Sequence, residues 1–348
     1  MDWTDLPEEL LSLVLSKLFP KDRKTFGLVS KPWRAVANRS PWLMFYPRNE
    51  QKWKFIQSDS NVVFYKNFPE LDNAEIRCSK YGWLLMSRDD FTLFFFDPSD
   101  SMMIELPKMN HVYTTISFFD PPTSPHCFIF GIANQETSTS LSIGMLKRGE
   151  DKWTCYSFDS KFIFPLSSCT PVLHRGFLYF LDVWGNIATF NINGQFSLRS
   201  WMVYTKCLSP PPQFGRIKQH FLFKIHGKKM IFVVFVEHDE GKVNVFRLRE
   251  PGMKWELVED LGDKMLFVTH SATFAKTAPK ESMANKIYFP MFRGDKGVFY
   301  SLDTRKYYSF DGDYTNISSY GLKALRFATW YAPLPTLELA EKLTSWHP

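Results

Sequence analysis

A chain of 348 residues that is 45% hydrophobic and 22% charged has the make-up of a globular protein long enough for two domains, which sets intrinsic disorder aside. Its formal charge of +6 amounts to a diffuse attraction for phosphates. The densest basic clusters, at 21–24 and 228–229, are too short for a nucleic-acid footprint and read as solvated surface, so no nucleic-acid partner is expected. The longest apolar run, 230–236, falls far short of the ~20 residues that cross a bilayer, so no membrane partner is expected either. Cys78, Cys127, Cys155, Cys169 and Cys207 are odd in number and contain no CxxC, and the start of the chain is acidic and polar, unlike a secretory signal. Together these features predict reduced thiols in a cytoplasmic or nuclear protein, in which Asn38-Arg39-Ser40 and Asn316-Ile317-Ser318 are chance matches to a glycosylation signal.

The first elements in chain order are helical. Asp5 is placed to cap a helix, with Glu8 three residues on as its capping-box partner and Pro7 in a first turn that has no use for the missing N–H. Leu6, Leu10, Leu13, Val14 and Leu18 recur at three- and four-residue spacing on one face, and Phe19-Pro20 predicts the end of the helix. Asp22 can cap a second short helix that turns Phe26 and Val29 inward, and Ser30 a third that holds Pro32, Trp33, Val36 and Ala37. Three short helices in about forty residues bury little of their own apolar surface. Either the unit packs on the remaining chain, or it presents its stripe to another protein.

These residues resemble the F-box. The match consists of a Leu6-Pro7-Glu8-Glu9-Leu10 start, an apolar first helix, Asp22 opening the next segment, and a Val29-Ser30-x-x-Trp33-Arg34 close. The resemblance implies an F-box domain over 1–44 that docks on Skp1, the linker of a cullin-RING ubiquitin ligase. It also implies that Leu6, Pro7, Leu10, Val14, Leu18, Phe26, Val29 and Trp33 form the apolar docking surface or its immediate support, with Arg34 in the basic position after the tryptophan.

The rest of the chain changes character. With 34 Phe, 14 Tyr and 11 Trp beside many Val, Ile and Thr, the composition favours strands. Groups of short strands with turn residues between them recur at 76–107, 112–158, 176–192, 229–260 and 285–311, a repeat of roughly 45–55 residues. Four antiparallel strands cannot bury both faces alone, whereas stacking such sheets around an axis can. The prediction is therefore a mainly β chain: three N-terminal helices, then a β-propeller of five to six blades over 45–348. A sixth blade would close by pairing NVVFYKNF near residue 65 with LRFATWYAP near residue 328. The stretches LGDKMLFVTHSATFA at 261–275, NKIYF at 285–289 and TWYAP at 329–333 resemble the plant F-box proteins with a DUF295 domain, in which a loosely kelch-like propeller follows the F-box.

No G-x-S-x-G elbow, P-loop or G-x-G-x-x-G is present. His220, His226 and His238 lack zinc-site spacing and read as polar residues at strand ends or in loops. Asp89-Asp90 and Asp239-Glu240 fall in hairpin turns, and Arg293-Gly294-Asp295 is a glycine turn. No catalytic residue, metal ligand or cofactor is expected. What the resemblance implies is a non-catalytic adaptor of a Skp1–cullin–F-box ubiquitin ligase. It would reach the cullin, the RING protein and the E2 through Skp1 and hold a target protein on the propeller. A competitor that binds Skp1 without delivering a target, and a plain propeller interaction module, are the alternatives. The loops at 134–140, 208–216 and 274–285 are candidates for target contact, with no target residue singled out.

Overall fold

The computed structural model describes residues 6–18, 20–37, 41–47, 52–58, 62–134, 139–159, 163–193, 201–204, 217–225, 228, 230–238, 241–249, 253–293, 296–310, 314–315, 322–325, 327–333 and 346. Three helices come first: α1 (Glu8–Ser16), α2 (Pro20–Val29) and α3 (Lys31–Ala37). Ser30 caps α3 as expected, its Oγ accepting from the Trp33 N–H at 3.4 Å. The other two starts differ from the sequence expectation. Pro7 stands at the cap position of α1 instead of inside its first turn, and Asp5 lies outside the described residues. Helix α2 already begins at Pro20, where fixed φ suits a first turn, so Asp22 complements the helix dipole from within instead of capping.

Six sheets follow, arranged as six blades. Blade 2 runs Glu75–Lys80, Trp83–Ser87, Leu93–Asp97 and Met102–Leu106, and blade 3 runs Thr115–Phe119, Phe128–Asn134, Ser140–Lys147 and Thr154–Asp159. Blade 4 spans Val172–His174 to Trp201–Tyr204, and blade 5 spans Ile217–Lys224 to Lys254–Val258. The unbroken apolar run of Leu93–Asp97 follows from strand alternation. Phe94 and Phe96 enter the core shared with blade 1, while Leu93 and Phe95 enter the core shared with blade 3. A hydrophobic cluster of this kind fills each gap between neighbouring blades. Trp346 reaches the gap between blades 2 and 3, where its indole N–H donates to the Glu150 carbonyl at 3.2 Å and its ring lies 5.9 Å from Phe95.

Blade 1 closes the ring, and not with the strands expected. The C-terminal strand Thr329–Tyr331 takes the innermost place and pairs with Trp42–Phe45, which pairs with Trp53–Gln57, and that in turn with Val63–Lys66. The NVVFY stretch is thus the outer strand of the blade and never meets TWY. The closing partner is the WLMF run directly after the helices, so the boundary expected between residues 44 and 45 falls inside a strand. Cross-blade hydrogen bonds lock the seam. The Ser79 hydroxyl donates to the Trp330 carbonyl at 2.9 Å, the Ser271 hydroxyl to Thr329 Oγ1 at 2.8 Å, and the Tyr331 hydroxyl to Asp97 Oδ1 at 3.1 Å.

Blade 6 departs from the simple meander. Its strand Lys264–Val268 pairs in parallel with Lys286–Arg293 and antiparallel with Thr273–Thr277, which becomes the innermost strand. The start of the stretch 274–285 is therefore part of an axial strand, not of a surface loop. The hairpin turn is tied by Thr269, whose backbone N–H donates to the Ala272 carbonyl at 2.7 Å.

The helices join the propeller through Arg23. This residue was expected to be solvated within the basic cluster 21–24, yet only 5% of it is exposed. Its guanidinium donates to the carbonyls of Leu15 at 2.6 Å and Leu18 at 3.0 Å, to Gln57 Oε1 at 2.7 Å, and lies 4.6 Å from the centre of the Trp42 ring. One side chain thereby adds charged hydrogen bonds to the carbonyls where α1 ends and places a cation at the negative end of its dipole, while stacking on blade 1. Replacing Arg23 with alanine is expected to lower the opening free energy of α1 by about 2–3 kcal/mol, because its charged hydrogen bonds to Leu15, Leu18 and Gln57 and its stacking on Trp42 are lost. Hydrogen exchange of α1 amides, with the amides of blades 2 to 5 as internal reference, measures it; blades 2 to 5 should be unchanged.

Candidate functional site

Helix α1 is apolar on two sides, and only one of them is used. Leu11, 1% exposed, and Leu15 form a small core with Phe26 and Val36. Leu6, Leu18, Trp33 and Ala37 pack against that core half-buried, with the Trp33 ring 4.3 Å from Phe26. On the opposite side of α1, Leu10, Leu13 and Val14 are uncovered, Leu13 by 60%, and Pro7 precedes them on the surface. Leu28 and Val29 at the end of α2 are also exposed, Val29 by 52%. Water contact on that many large apolar side chains of one small unit costs stability that burial elsewhere would recover, at about 25 cal/mol per Å².

The residues named from sequence therefore divide. Pro7, Leu10, Val14 and Val29 lie on the open face. Leu6, Leu18 and Trp33 flank the small core, and Phe26 is buried inside it, in a supporting place. The Arg34 side chain lies outside the description. Leu13 and Leu28 belong to the open face and were not among the docking residues read from sequence. Leu13 carried a signal, since it follows Leu10 by three residues, but its helical phase separates it from Leu11 and Leu15 only once those two are known to point inward.

Two cavities lie along the propeller axis, at opposite ends. The first, about 740 Å³, is lined by Glu75, Arg77 and Thr115 where the inner strands of blades 2 and 3 begin, by His270, and by Tyr46 and Trp53. Tyr46 and Trp53 stand at one end of the Trp42–Phe45/Trp53–Gln57 hairpin, while Trp42 and Gln57, which hold Arg23, stand at the other. This cavity is therefore on the side away from the helices. Phe327, 64% exposed, and Tyr46 put uncovered aromatic surface at its rim. Burial pushes the Arg77 guanidinium below its ordinary pKa, and Glu75, 3.9 Å away, partly offsets that. His270 joins the Ser168 hydroxyl at 3.2 Å and faces the Phe221 ring.

The second cavity, about 640 Å³, is at the helix end, where the inner strands of blades 2, 3 and 5 finish and Ala332 and Pro333 follow the closing strand. Lys80, Lys224 and Lys276 line it, together with Tyr81 and Asp120. The Lys80 ammonium donates to the Ser117 hydroxyl at 2.6 Å and lies 4.4 Å from the Phe119 ring. Burial lowers its pKa, against a small opposing influence from Cys78, and burial lowers that of Lys276 to about 8.

The remaining expectations sort quickly. His220 is not a strand-end residue at the surface but is buried within Ile217–Lys224, and burial, then the nearby His270, pushes its pKa down to about 4. Asp90 does sit in a turn, where the Thr92 hydroxyl and amide and Lys108 hold its carboxyl well below the usual range. His226, Asp239, Glu240, Gly294, Asp295 and the segments 135–138 and 205–216 lie outside the described residues. Among the described residues no three His, Cys, Asp or Glu side chains gather as a metal site would need, and no helix is long and apolar enough to cross a membrane.

Two family models match the chain. The F-box domain matches residues 3–43, and the KIB1-4 beta-propeller matches residues 45–314. Among curated relatives, the F-box/kelch-repeat protein At1g57790 of Arabidopsis thaliana is 30% identical over 88% of this chain and 88% of its own length. The F-box/kelch-repeat protein At3g18720 of the same organism is 26% identical over 81% of this chain and 78% of its own. The F-box protein At1g49360, also from Arabidopsis thaliana, is 26% identical over 82% of this chain and 60% of its own.

The lysine-lined cavity predicts a pH signature. A lysine whose folded pKa is about 8, against 10.5 for the ordinary group, costs the native state stability at pH 7, where both states hold the proton. As pH rises through 8 the native state gives up that proton first and the cost fades. Lys276→Met is therefore expected to raise the thermal midpoint at pH 7, with a gain that shrinks by about pH 9.5. Thermal melts of both proteins at the two pH values check it, and an equal gain at both would contradict the assignment.

Proposed function

This chain belongs to the F-box proteins that carry a KIB1-4 β-propeller, and on that premise we propose that it is the substrate-recognition subunit of a Skp1–cullin–F-box ubiquitin ligase. The observation that carries the reading is the set of exposed apolar side chains on the helical unit: Pro7, Leu10, Leu13 and Val14 along α1, and Leu28 and Val29 at the end of α2. It is set on a helical core already sealed by Leu11, Leu15, Phe26 and Val36, so a partner can cover it without repacking the unit. A Skp1-type protein is the partner that this face takes, and through it the cullin, the RING protein and the loaded E2.

In this reading the chain does no bond chemistry. Its work is tethering: the helices hold the ligase, the propeller holds a target, and target lysines are kept at an effective concentration on the order of mM near the E2. The target is held at the cavity on the far side of the propeller, where Tyr46 and Phe327 leave aromatic surface uncovered and the docked helices cannot interfere. Rim loops between rigid blades suit such a role because they vary without disturbing the sheets. The cytosol or nucleus is the place of action.

The test is co-purification with a plant Skp1-type protein. A Leu10→Asp, Val14→Asp double variant puts two charges on the open face and is expected to lose the complex while keeping the circular dichroism and thermal midpoint of the wild type. Leu11→Ala should do the reverse, loosening the helical unit by about 2–5 kcal/mol through a cavity in its core. Undiminished recovery of the Skp1-type protein with the double variant would contradict docking through this face.

A further inference from the structure

The end of the chain returns to the propeller at one residue. Trp346 is the only residue described beyond Pro333, and it is 2% exposed. The ring of blades does not need it to close, since Thr329–Tyr331 has already paired with Trp42–Phe45, and Trp346 belongs to no strand. It enters the gap between blades 2 and 3 as a single side chain. Its ring lies 5.9 Å from that of Phe95 and 5.8 Å from the Arg148 guanidinium, and its indole N–H donates to the Glu150 carbonyl at 3.2 Å.

Each wall of that gap is held in place by contacts other than this indole. Phe95 stands edge-on to Phe118 at 4.9 Å and to Trp83 at 6.4 Å. Arg148 is anchored twice: its guanidinium donates to the Pro122 carbonyl, and its backbone N–H to the Cys127 carbonyl at 2.9 Å. The turn that offers the acceptor is tied by Glu150. Its carboxylate accepts the Lys147 N–H at 2.9 Å, and its own N–H donates to the Lys147 carbonyl at 3.0 Å. The gap is therefore a preformed slot with an aromatic wall, a cation near the ring and a carbonyl where the indole N–H arrives. An indole brings both things the slot receives, a wide apolar ring and a donor on its edge; phenylalanine brings only the first. One ring and one hydrogen bond hold Trp346, whereas six interblade cores hold the propeller. Its release is a local opening, far cheaper than unfolding of the blades.

We propose that the gap between blades 2 and 3 is a recognition slot for a tryptophan-bearing peptide, occupied in cis by Trp346, so that the C-terminal end of this chain is a releasable strap. While the strap is closed it competes with a tryptophan peptide offered by another chain, and opening it frees the slot by mass action. The slot depends neither on Skp1 docking nor on the cavity assigned to the target.

Fluorescence anisotropy of a dye-labelled synthetic peptide spanning 334–348 tests it on the full-length chain. Trp346→Ala is expected to keep the circular dichroism of the wild type and to bind the peptide saturably, one per chain. Wild type, whose own indole holds the slot, should bind it at least about tenfold more weakly. The same peptide with alanine in place of its tryptophan should bind neither protein. Equal affinity of wild type and Trp346→Ala would overturn the slot, as would binding of the alanine peptide as tight as that of the tryptophan peptide. A second measurement needs no stable alanine variant: solvent exchange of the Trp346 indole N–H in the wild type, its resonance assigned by its loss in Trp346→Phe. The expected protection is about tenfold or more above a free indole and about tenfold or more below the amides of Leu93–Asp97. Protection no greater than that of a free indole would overturn the docking, and protection equal to that of the strand would overturn the release.

Discussion

A guanidinium ties the helices of this molecule to its blades. Arg23 closes the end of α1 through the Leu15 and Leu18 carbonyls, reaches Gln57 on blade 1 and stacks on Trp42. Because the helices are attached by the polar end of α1 and not by its apolar flank, Leu10, Leu13 and Val14 remain uncovered. A hydrophobic attachment would have had to consume that flank, since a unit of three short helices has little other apolar surface to offer. Polar attachment is thus what leaves that apolar flank of α1 exposed. It also fixes direction: the strand that carries Trp42 pairs with the C-terminal strand, so the helices are held at the seam where the ring is closed.

From that seam the two ends of the propeller acquire different characters. The far end has a mixed lining of Glu75, Arg77 and His270 under an exposed aromatic rim, which suits protein surface. The near end is lined by Lys80, Lys224 and Lys276. Half-buried ammonium groups lower stability, and a fold with six well-filled interblade cores can bear the loss.

Much of this was legible in the residues. The strand groups stood out because turns at positions such as Asp89-Asp90 punctuate short apolar runs, and the helices because leucine spacing and a serine cap are local signals. What escaped reading was whatever depended on distant partners. The closing pair, Trp42–Phe45 with Thr329–Tyr331, joins segments nearly the whole chain apart, and no local pattern marks either as the mate of the other. Trp346 fills a gap between blades 2 and 3 from far along the chain for the same reason. Arg23 looked like one more charge in a basic cluster, because its partners are backbone carbonyls and a ring that only the fold brings near. Leu13 was visible as apolar but not as exposed, since a helix with leucine on two sides does not say which side turns inward. Lys276 was hidden by the parallel pairing that sends its strand to the axis.

A photo-crosslinking amino acid placed at Leu13 tests the central claim most directly, because that position looks outward from α1 without contributing to the helical core. The account predicts that in the presence of a Skp1-type protein the probe joins the two chains, and that the same probe at Met145, buried in blade 3, does not. A probe at Leu13 that reacts only with this chain's own blades, with the Skp1-type protein present, would contradict it.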